Sequence, residues 1–140
     1  MSGRVFLDTN VLIYAASSRG APAKFARAEE IMAKGGFAIS TQVVGEFVRN
    51  IQSPKKMSPP LSDAEVDHWV DRLFEFEVIA VDQEIILDAI VLQRRYQIDF
   101  WDSQILAAAR RVGAQVLYSE DLSHGQTYGS VRCENPFRGA

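Results

Sequence analysis

Short apolar runs of strand type alternate with longer segments of helical periodicity along this chain of 140 residues. Apolar residues that recur every three or four positions are typical of helices, and short runs rich in Val, Ile and Phe are typical of buried strands. Their alternation predicts right-handed crossovers and a parallel sheet with helices on both faces. The predicted strands are 4–8, 37–40, 77–81, 115–118 and 130–133, and the predicted helices are 21–34, 41–52, one from 62 onward, 83–96 and 101–112. The sequence therefore predicts an α/β fold, a three-layer α/β/α sandwich around a central parallel sheet of four to five strands.

The length leaves room for one folded unit. Compact domains typically have roughly 100 to 200 residues, so 140 residues are enough for a single hydrophobic core. No repeat, linker or low-complexity segment divides the sequence, and its longest predicted loop lies around the prolines at 54, 59 and 60. We expect a single domain over residues 1–140.

The sequence gives no indication of membrane insertion or export. The apolar run 5–16 is interrupted by Asp8 and Asn10, which the core of a signal peptide would not carry. No stretch approaches the ~18 consecutive apolar residues of a membrane span. We expect a cytoplasmic protein with no membrane partner.

The overall charge excludes a broad electrostatic attraction to nucleic acid. Fifteen Lys and Arg stand against eighteen Asp and Glu, a net charge of −3, so any contact with phosphate must be local. Arg49, Lys55 and Lys56 flank the long loop and could meet RNA phosphates, although the same residues are ordinary on a solvated surface.

Four acidic residues lie close to the predicted ends of strands. Asp8 ends the first strand, Glu46 is on the helix after the second, Asp102 opens a late helix and Asp121 follows the fourth strand. The carboxyl ends of parallel strands meet at one edge of a sheet, where ligands bind in this fold class. Clustered carboxylates repel one another unless a cation joins them, and Mg²⁺ or Mn²⁺ prefers oxygen ligands. A metal there would activate water and stabilise charge on a phosphodiester, and two metals would clamp both oxygens.

Each of these acidic residues also has a purely structural interpretation. Asp8 could cap the following helix, Glu46 could face solvent, and Asp102 could stabilise a helix dipole. Asp99 competes with Asp102 one turn earlier, as a ligand or as the helix cap itself. Glu120 competes with Asp121, and the local sequence does not separate the two.

Four segments, taken in order, resemble the acidic blocks of PIN domains. These segments are VFLDTN (5–10), VVGEF (43–47), FWDSQILAAA (100–109) and VLYSEDL (116–122). Each one alone is a weak signal, but four in order, each in a suitable strand or helix context, cover nearly the whole chain. The length and the tail GQTYGSVRCENPF (125–137) are similar to the VapC-type toxins within that family.

The resemblance implies a fold, an activity and partners. It implies a PIN-like parallel-sheet α/β/α fold and a Mg²⁺ or Mn²⁺ site built by Asp8, Glu46, Asp102 and Asp121, which would serve as both catalytic and metal-binding residues. It implies endonucleolytic cleavage of RNA by the toxin of a toxin–antitoxin pair, inhibition by a cognate VapB-type antitoxin, and a homodimer. Asn10 and Ser119 would support the site by hydrogen bonding. Asp99 departs from the pattern, since the family more often has a small polar residue there, so it would be an extra metal or water ligand or only a cap.

Two rival functions use the same residues differently. A haloacid-dehalogenase-like phosphatase would use Asp8 as its nucleophile, but that family carries an acidic residue where this chain has Asn10, and it needs a downstream Lys that no strand–helix junction supplies. A non-catalytic PIN-like module would bind RNA or protein without cutting, although all four acidic positions are filled. Loss of a metal-dependent activity on changing Asp8 or Asp102 would separate these cases.

Other chemistry-bearing side chains lack partners at suggestive spacing. His68 and His124 are expected to be non-catalytic, and Cys133 is expected to be a small core or edge-strand residue. Aromatic residues around the helix that starts near 62 could belong to the core or to an exposed patch for a partner helix, and the core is favoured. These aromatic residues are Trp69, Phe74 and Phe76.

Overall fold

A computed structural model describes residues 4–140 as alternating strands and helices. The strands are β1 (Val5–Leu7), β2 (Phe37–Ser40), β3 (Glu77–Ile79), β4 (Val116–Tyr118), β5 (Thr127–Tyr128) and β6 (Val131–Glu134). The helices are α1 (Thr9–Ala16), α2 (Pro22–Lys34), α3 (Thr41–Ile51), α4 (Asp63–Leu73), α5 (Gln83–Tyr96) and α6 (Phe100–Arg111). The predicted α/β class is confirmed.

The six strands form one mixed sheet in the order β3-β2-β1-β4-β6-β5. All neighbouring pairs are parallel except the outermost, in which β5 runs antiparallel to β6. The sheet therefore has one strand more than predicted. The two residues of β5 are too few to show an alternating pattern, and they join the sheet through a tight turn at Gly129, whose φ of 64° favours glycine.

The core lies on both faces of this sheet. Phe6, Leu117 and Cys133 are in register on neighbouring strands and are fully buried. Helix α6 is buried over seven consecutive residues, 103–109, because its alanine-rich sequence permits close approach to the sheet and to α5. Cys133 is thus a core residue, as expected.

Polar side chains define where the helices begin. Asp8 starts α1, Ser40 starts α3, Ser62 forms a complete capping box with Glu65 on α4, and Asp82 starts α5. Helix α1 was not among the predicted helices. Its eight residues are apolar at almost every position after Asn10, so the sequence there shows no helical period.

The three aromatic residues around α4 separate in the structure. Phe76 stacks on Phe37 with ring centroids 4.2 Å apart, and Trp69 packs edge-on against Phe47 at 5.4 Å. Phe74 is 56% exposed, so the prediction that it belongs to the core was wrong. Helix α4 ends at Leu73 and the chain turns toward β3, which moves Phe74 off the buried stripe.

Between residues 4 and 140, no helix has the length and apolarity needed to cross a bilayer.

Candidate metal centre

The acidic residues meet where the strand order of the sheet reverses. From β1 the chain proceeds outward through β2 and β3, whereas β4, β6 and β5 lie on the other side of β1. Asp8 directly follows β1, and Asp121 lies three residues beyond β4. Loops that leave neighbouring strands in opposite directions open a crevice at this point, which is where open α/β sheets bind ligands.

Three aspartates bring their carboxylates together in this crevice. One oxygen each of Asp8, Asp102 and Asp121 lies within 4.8 Å of the other two. Asp102 reaches the cluster from the first turn of α6, so three separate elements contribute. All three were named from the sequence as candidate site residues. Neither Asp99 nor Glu120, the local competitors of Asp102 and Asp121, is part of the cluster.

Asp8 is held in a fixed orientation by its neighbours. Its Oδ1 accepts a hydrogen bond from the Thr9 backbone N–H at 2.7 Å, and its Oδ2 accepts one from the Ser119 hydroxyl at 2.7 Å. The Ser119 oxygen in turn accepts from the backbone N–H of Asp121 at 3.1 Å. Ser119 thus links two of the three aspartates by hydrogen bonds, and the supporting role that the family resemblance implies for it stays a prediction.

Glu46 stands on the wall of the same cleft, next to the three aspartates. Its carboxylate accepts hydrogen bonds from the Thr9 hydroxyl at 2.7 Å and from the Gln42 amide at 3.4 Å. Gln42 also donates to the Trp101 carbonyl at 3.2 Å and accepts from the buried Gln104 amide at 2.7 Å. This chain of hydrogen bonds, which we call the glutamine relay (Gln104, Gln42, Glu46), ties α6 to α3.

The negative charge of the cluster is not balanced within the protein. Burial, followed by the nearby Asp121 and Asp102, raises the pKa of Asp8 to about 7, although bonds from Ser119 and Thr9 oppose the shift. Burial, Asp121, Asp99 and Glu46 raise the pKa of Asp102 to about 6. Burial and the charges of Glu120 and Glu46 also raise the pKa of Asp121. No salt bridge in residues 4–140 reaches any of these three aspartates.

The cleft around the cluster has a volume of about 460 Å³ and a basic rim. The cleft is lined by Arg49 from α3 and by Lys55 and Lys56 from the following loop, whose positive charges contrast with the negative charges of the aspartates. Asn10 lines the cleft as well, but within 4–140 its side chain has no hydrogen-bond partner, so the support expected of it is not seen.

The two competing acidic residues have other roles. Asp99 caps α6, accepting from the backbone N–H groups of Trp101 at 3.0 Å and Asp102 at 3.4 Å, and it does not line the cleft. Glu120 accepts from the Tyr14 hydroxyl at 2.7 Å and the Lys24 ammonium at 2.6 Å. Asp121, rather than Glu120, therefore belongs to the cluster.

The histidines lie outside the cleft. His68 is exposed on α4, and the His124 Nδ1 accepts from the Asn135 backbone N–H at 3.0 Å.

Three residues that bear on the site were not predicted, namely Thr9, Gln42 and Gln104. Gln42 shares a helical face with Glu46, which was a usable signal, but Gln104 lies among buried positions of α6 and nothing local marks it.

The donor set fits a hard divalent cation. All the clustered ligands are carboxylate oxygens, and no basic side chain in residues 4–140 forms a salt bridge with them. No sulfur or imidazole ligand joins the cluster in residues 4–140, so its donors suit a divalent cation that prefers oxygen ligands.

Comparison with known families agrees with this architecture. The family model described as PIN domain matches residues 5–129. The chain belongs to the PIN domain family. Because the chain is a PIN domain, the haloacid-dehalogenase-like alternative is wrong. A search of curated protein sequences found no match.

Solved structures of PIN-type toxins share the fold. A toxin–antitoxin complex from Klebsiella pneumoniae matches with a TM-score of 0.68 at 22% identity, over 91% of this chain and 94% of that one. VapC20 from Mycobacterium tuberculosis, described as a toxin that cleaves the sarcin-ricin loop, matches with a TM-score of 0.65 at 20% identity, over 84% and 89%. DNA-bound VapBC from Salmonella typhimurium matches with a TM-score of 0.64 at 17% identity, over 95% and 98%. At these identities the likeness shows the fold.

Proposed function

We propose that this PIN domain is a Mg²⁺- or Mn²⁺-dependent endoribonuclease, the VapC-type toxin of a toxin–antitoxin pair. The observation that carries the proposal is the uncompensated cluster of Asp8, Asp102 and Asp121 in a cleft whose rim is basic. Negative groups that bind a cation and positive groups that meet phosphate are thereby next to each other. The cluster is the catalytic centre in this proposal, and Glu46 completes it.

The residues of the cleft would divide the work between binding and orientation. Asp8, Asp102 and Asp121 would hold the metal, with Glu46 beside them. When bound, the metal would supply an activated water and stabilise the negative charge that develops on the phosphodiester. Ser119 and Thr9 would orient the Asp8 carboxylate for the metal, since they donate to both of its oxygens, and the same bonds oppose the rise of its pKa.

RNA is the proposed substrate because the basic residues of the cleft suit phosphate and because a toxin of the same fold supports this assignment. Arg49, Lys55 and Lys56 provide local positive charge on a chain that is acidic overall. The M. tuberculosis toxin of the same fold is described as cleaving the sarcin-ricin loop. We propose that the chain acts on RNA in the cytoplasm.

The proposed partner is a VapB-type antitoxin. The K. pneumoniae and S. typhimurium structures are described as toxin–antitoxin and VapBC complexes. A cognate antitoxin would restrain the nuclease by covering the same cleft, so its removal should be needed to observe activity.

The decisive experiment is cleavage of total RNA by the purified chain, freed of antitoxin. Discrete fragments are expected with Mg²⁺ or Mn²⁺ and not with EDTA. Asp8→Asn should abolish them, and Asp67→Asn, which removes an exposed carboxylate of α4 outside the cleft, should leave them unchanged.

A non-catalytic binding module is the competing outcome. It would appear as RNA bound by the wild-type chain but left intact under every metal tested. Equal cleavage by wild type and Asp8→Asn would instead point to a contaminating nuclease and sink the assignment of the site.

A further inference from the structure

Trp101 is an exposed tryptophan directly beside the carboxylate cluster. It is 57% exposed, whereas the other tryptophan, Trp69, packs against the buried Phe47. Tryptophan is highly buried on average because of its large apolar surface, so this degree of exposure is unusual. Trp101 immediately precedes Asp102 in the first turn of α6. An open aromatic ring therefore stands next to a residue that would bind the metal.

The geometry of α6 places Trp101 at the mouth of the cleft. At 3.6 residues per turn, Ile105 lies about 40° from Trp101 around the helix, on the side toward Asp102. Ile105 and Asp102 both line the cleft. Trp101 is one turn nearer the N-terminus of α6 than Ile105, so it continues the same wall of the cleft outward to solvent.

The start of α6 is held in place by contacts that leave the ring accessible. The backbone N–H of Trp101 donates to Asp99 at 3.0 Å, and its carbonyl accepts from the Gln42 amide at 3.2 Å. The indole packs edge-on against Phe100, with centroids 5.2 Å apart and an interplanar angle of 76°. In the described part of the chain, no other aromatic ring and no basic side chain is stacked on it.

Trp101 and the basic rim lie on opposite sides of Glu46. On α3, Gln42 precedes Glu46 by one turn and contacts Trp101, whereas Arg49 follows Glu46 by almost one turn. The rise of 1.5 Å per residue separates the levels of Gln42 and Arg49 by about 10 Å along the helix. A polynucleotide lying across the cleft would thus meet positive charge at one end and the indole at the other, with the carboxylates between them.

We infer that Trp101 is a stacking platform for an unpaired base of the bound RNA. This inference rests on the proposed function, because it takes RNA as the ligand of the cleft. Every base has a flat π-face that can stack on an indole, while the basic rim holds phosphates. A base inside a duplex is already stacked and paired, so the platform favours an unpaired nucleotide whatever its identity.

The surroundings of Trp101 suit a base better than an apolar protein surface. Its nearest polar neighbours at the cleft mouth are Asp99, Asp102 and Gln42. A protein partner usually covers a contiguous apolar patch, whereas a single ring among polar groups matches one flat ligand that also carries charge. The nearby basic rim supplies the complementary charge for the phosphates of that ligand.

Trp101 fluorescence reports base stacking directly. The chain has two tryptophans, so Trp69→Phe leaves Trp101 as the only indole. In EDTA at low ionic strength, titration with single-stranded oligoadenylate should quench the emission to saturation, because a stacked base contacts the ring. An abasic oligonucleotide of the same length offers the same phosphates without bases and should leave the emission unchanged. Circular dichroism of Trp69→Phe checks that the fold is retained.

Substitution of Trp101 measures what stacking contributes to binding. Trp101→Ala should weaken the binding of labelled oligoadenylate, followed by fluorescence anisotropy, by at least about fivefold and leave binding of the abasic oligonucleotide unchanged. Trp101→Phe keeps an aromatic ring and should retain most of the affinity. Phe74→Ala is the matched control, since Phe74 is 56% exposed and outside the cleft, and it should bind as wild type does.

Three results would overturn the inference. These are equal quenching by oligoadenylate and the abasic oligonucleotide, wild-type oligoadenylate binding by Trp101→Ala, and a change in the sedimentation of Trp101→Ala without a change in RNA binding. The last result would assign the ring to a protein interface.

Failure of the platform and failure of the nuclease are distinguishable. Metal-dependent cleavage by the wild type, with equal RNA binding and cleavage by Trp101→Ala, would overturn the platform and leave the nuclease in place. Base-dependent quenching by a chain that cuts no RNA under any metal would support the platform and overturn the nuclease.

Discussion

Asp8 is the residue whose environment says most about the site. Its side chain is only 4% exposed, both of its oxygens are hydrogen-bonded, and two further aspartates lie beside it. In the metal-free protein the ionised form is destabilised by burial and by repulsion, which is why the pKa rises from 3.8 to about 7.

The pKa of Asp8 predicts how the stability of the metal-free protein depends on pH. Because the pKa is higher in the folded state, protonation stabilises the fold below the unfolded value of 3.8, and this stabilisation is lost as the pH rises through about 7. Asp8→Asn should flatten that dependence and raise the free energy of unfolding at pH 8 by on the order of 2 kcal/mol. Urea titrations at a series of pH values measure it, and Asp67→Asn should behave as wild type. Unfolding of Asp8→Asn at neutral pH would contradict the interpretation.

Gln104 is predicted to act on the site through the glutamine relay. Gln104→Leu keeps the side-chain volume but leaves the side-chain Oε1 of Gln42 without its donor. This loss should lower the free energy of unfolding by about 1–3 kcal/mol. We expect a loss of about tenfold in kcat with a smaller change in KM, and weaker Mn²⁺ binding by titration calorimetry. A double-mutant cycle with Gln42→Leu should show strong coupling, whereas additive effects would mean that Gln104 only fills space.

Individual acidic residues were predictable from the sequence to different degrees. Asp8 stood out because it ends the apolar run of the first strand. Asp102 stood out because it begins the apolar face of a late helix. The choice between Glu120 and Asp121 depends on Lys24, which is 96 residues from Glu120 in sequence. No local pattern reports a contact over that separation, so the family resemblance, and then the structure, decided it.

Among the elements, α4 offers the cleanest test of local sequence signals. Ser62 and Glu65 make reciprocal hydrogen bonds at 3.2 and 3.0 Å, on an exposed helix start away from the cleft. Ser62→Ala should lower the free energy of unfolding by about 1 kcal/mol without changing metal affinity. Ser62→Asp should restore most of the loss, since Asp is an equally good cap. Loss of metal binding in Ser62→Ala would show that α4 is coupled to the site.

Element prediction succeeded where caps and periodicity coincide. Helices α2, α3 and α5 were expected within one or two residues of their observed ends. Helix α1 and strand β5 were missed because a nearly continuous apolar run and a two-residue strand carry no period. Their conformation is determined by the sheet against which they pack, which is a tertiary effect.

For the whole molecule, a negative net charge is combined with a local group of basic residues. The chain carries −3, but its cleft has three basic residues on the rim. Replacing Arg49, Lys55 and Lys56 with Gln should weaken RNA binding at all sequences and reduce the slope of log K against log salt by about 2, since each phosphate contact contributes roughly 0.7. The same replacements at the exposed Lys34, Arg110 and Arg138 should leave the slope unchanged. An unchanged slope in the cleft variant would place RNA elsewhere.

The position of β1 between β2 and β4 also has a consequence for synthesis of the protein. The hydroxyl that orients Asp8 belongs to Ser119, which follows Asp8 by 111 residues. Ser119 directly follows β4, the strand that pairs with β1. A growing polypeptide on the ribosome therefore carries Asp8 long before it carries Asp102, Ser119 and Asp121. The carboxylate cluster is therefore incomplete until β4 has been synthesised and paired with β1, and under the proposed function the nuclease stays inactive until that point.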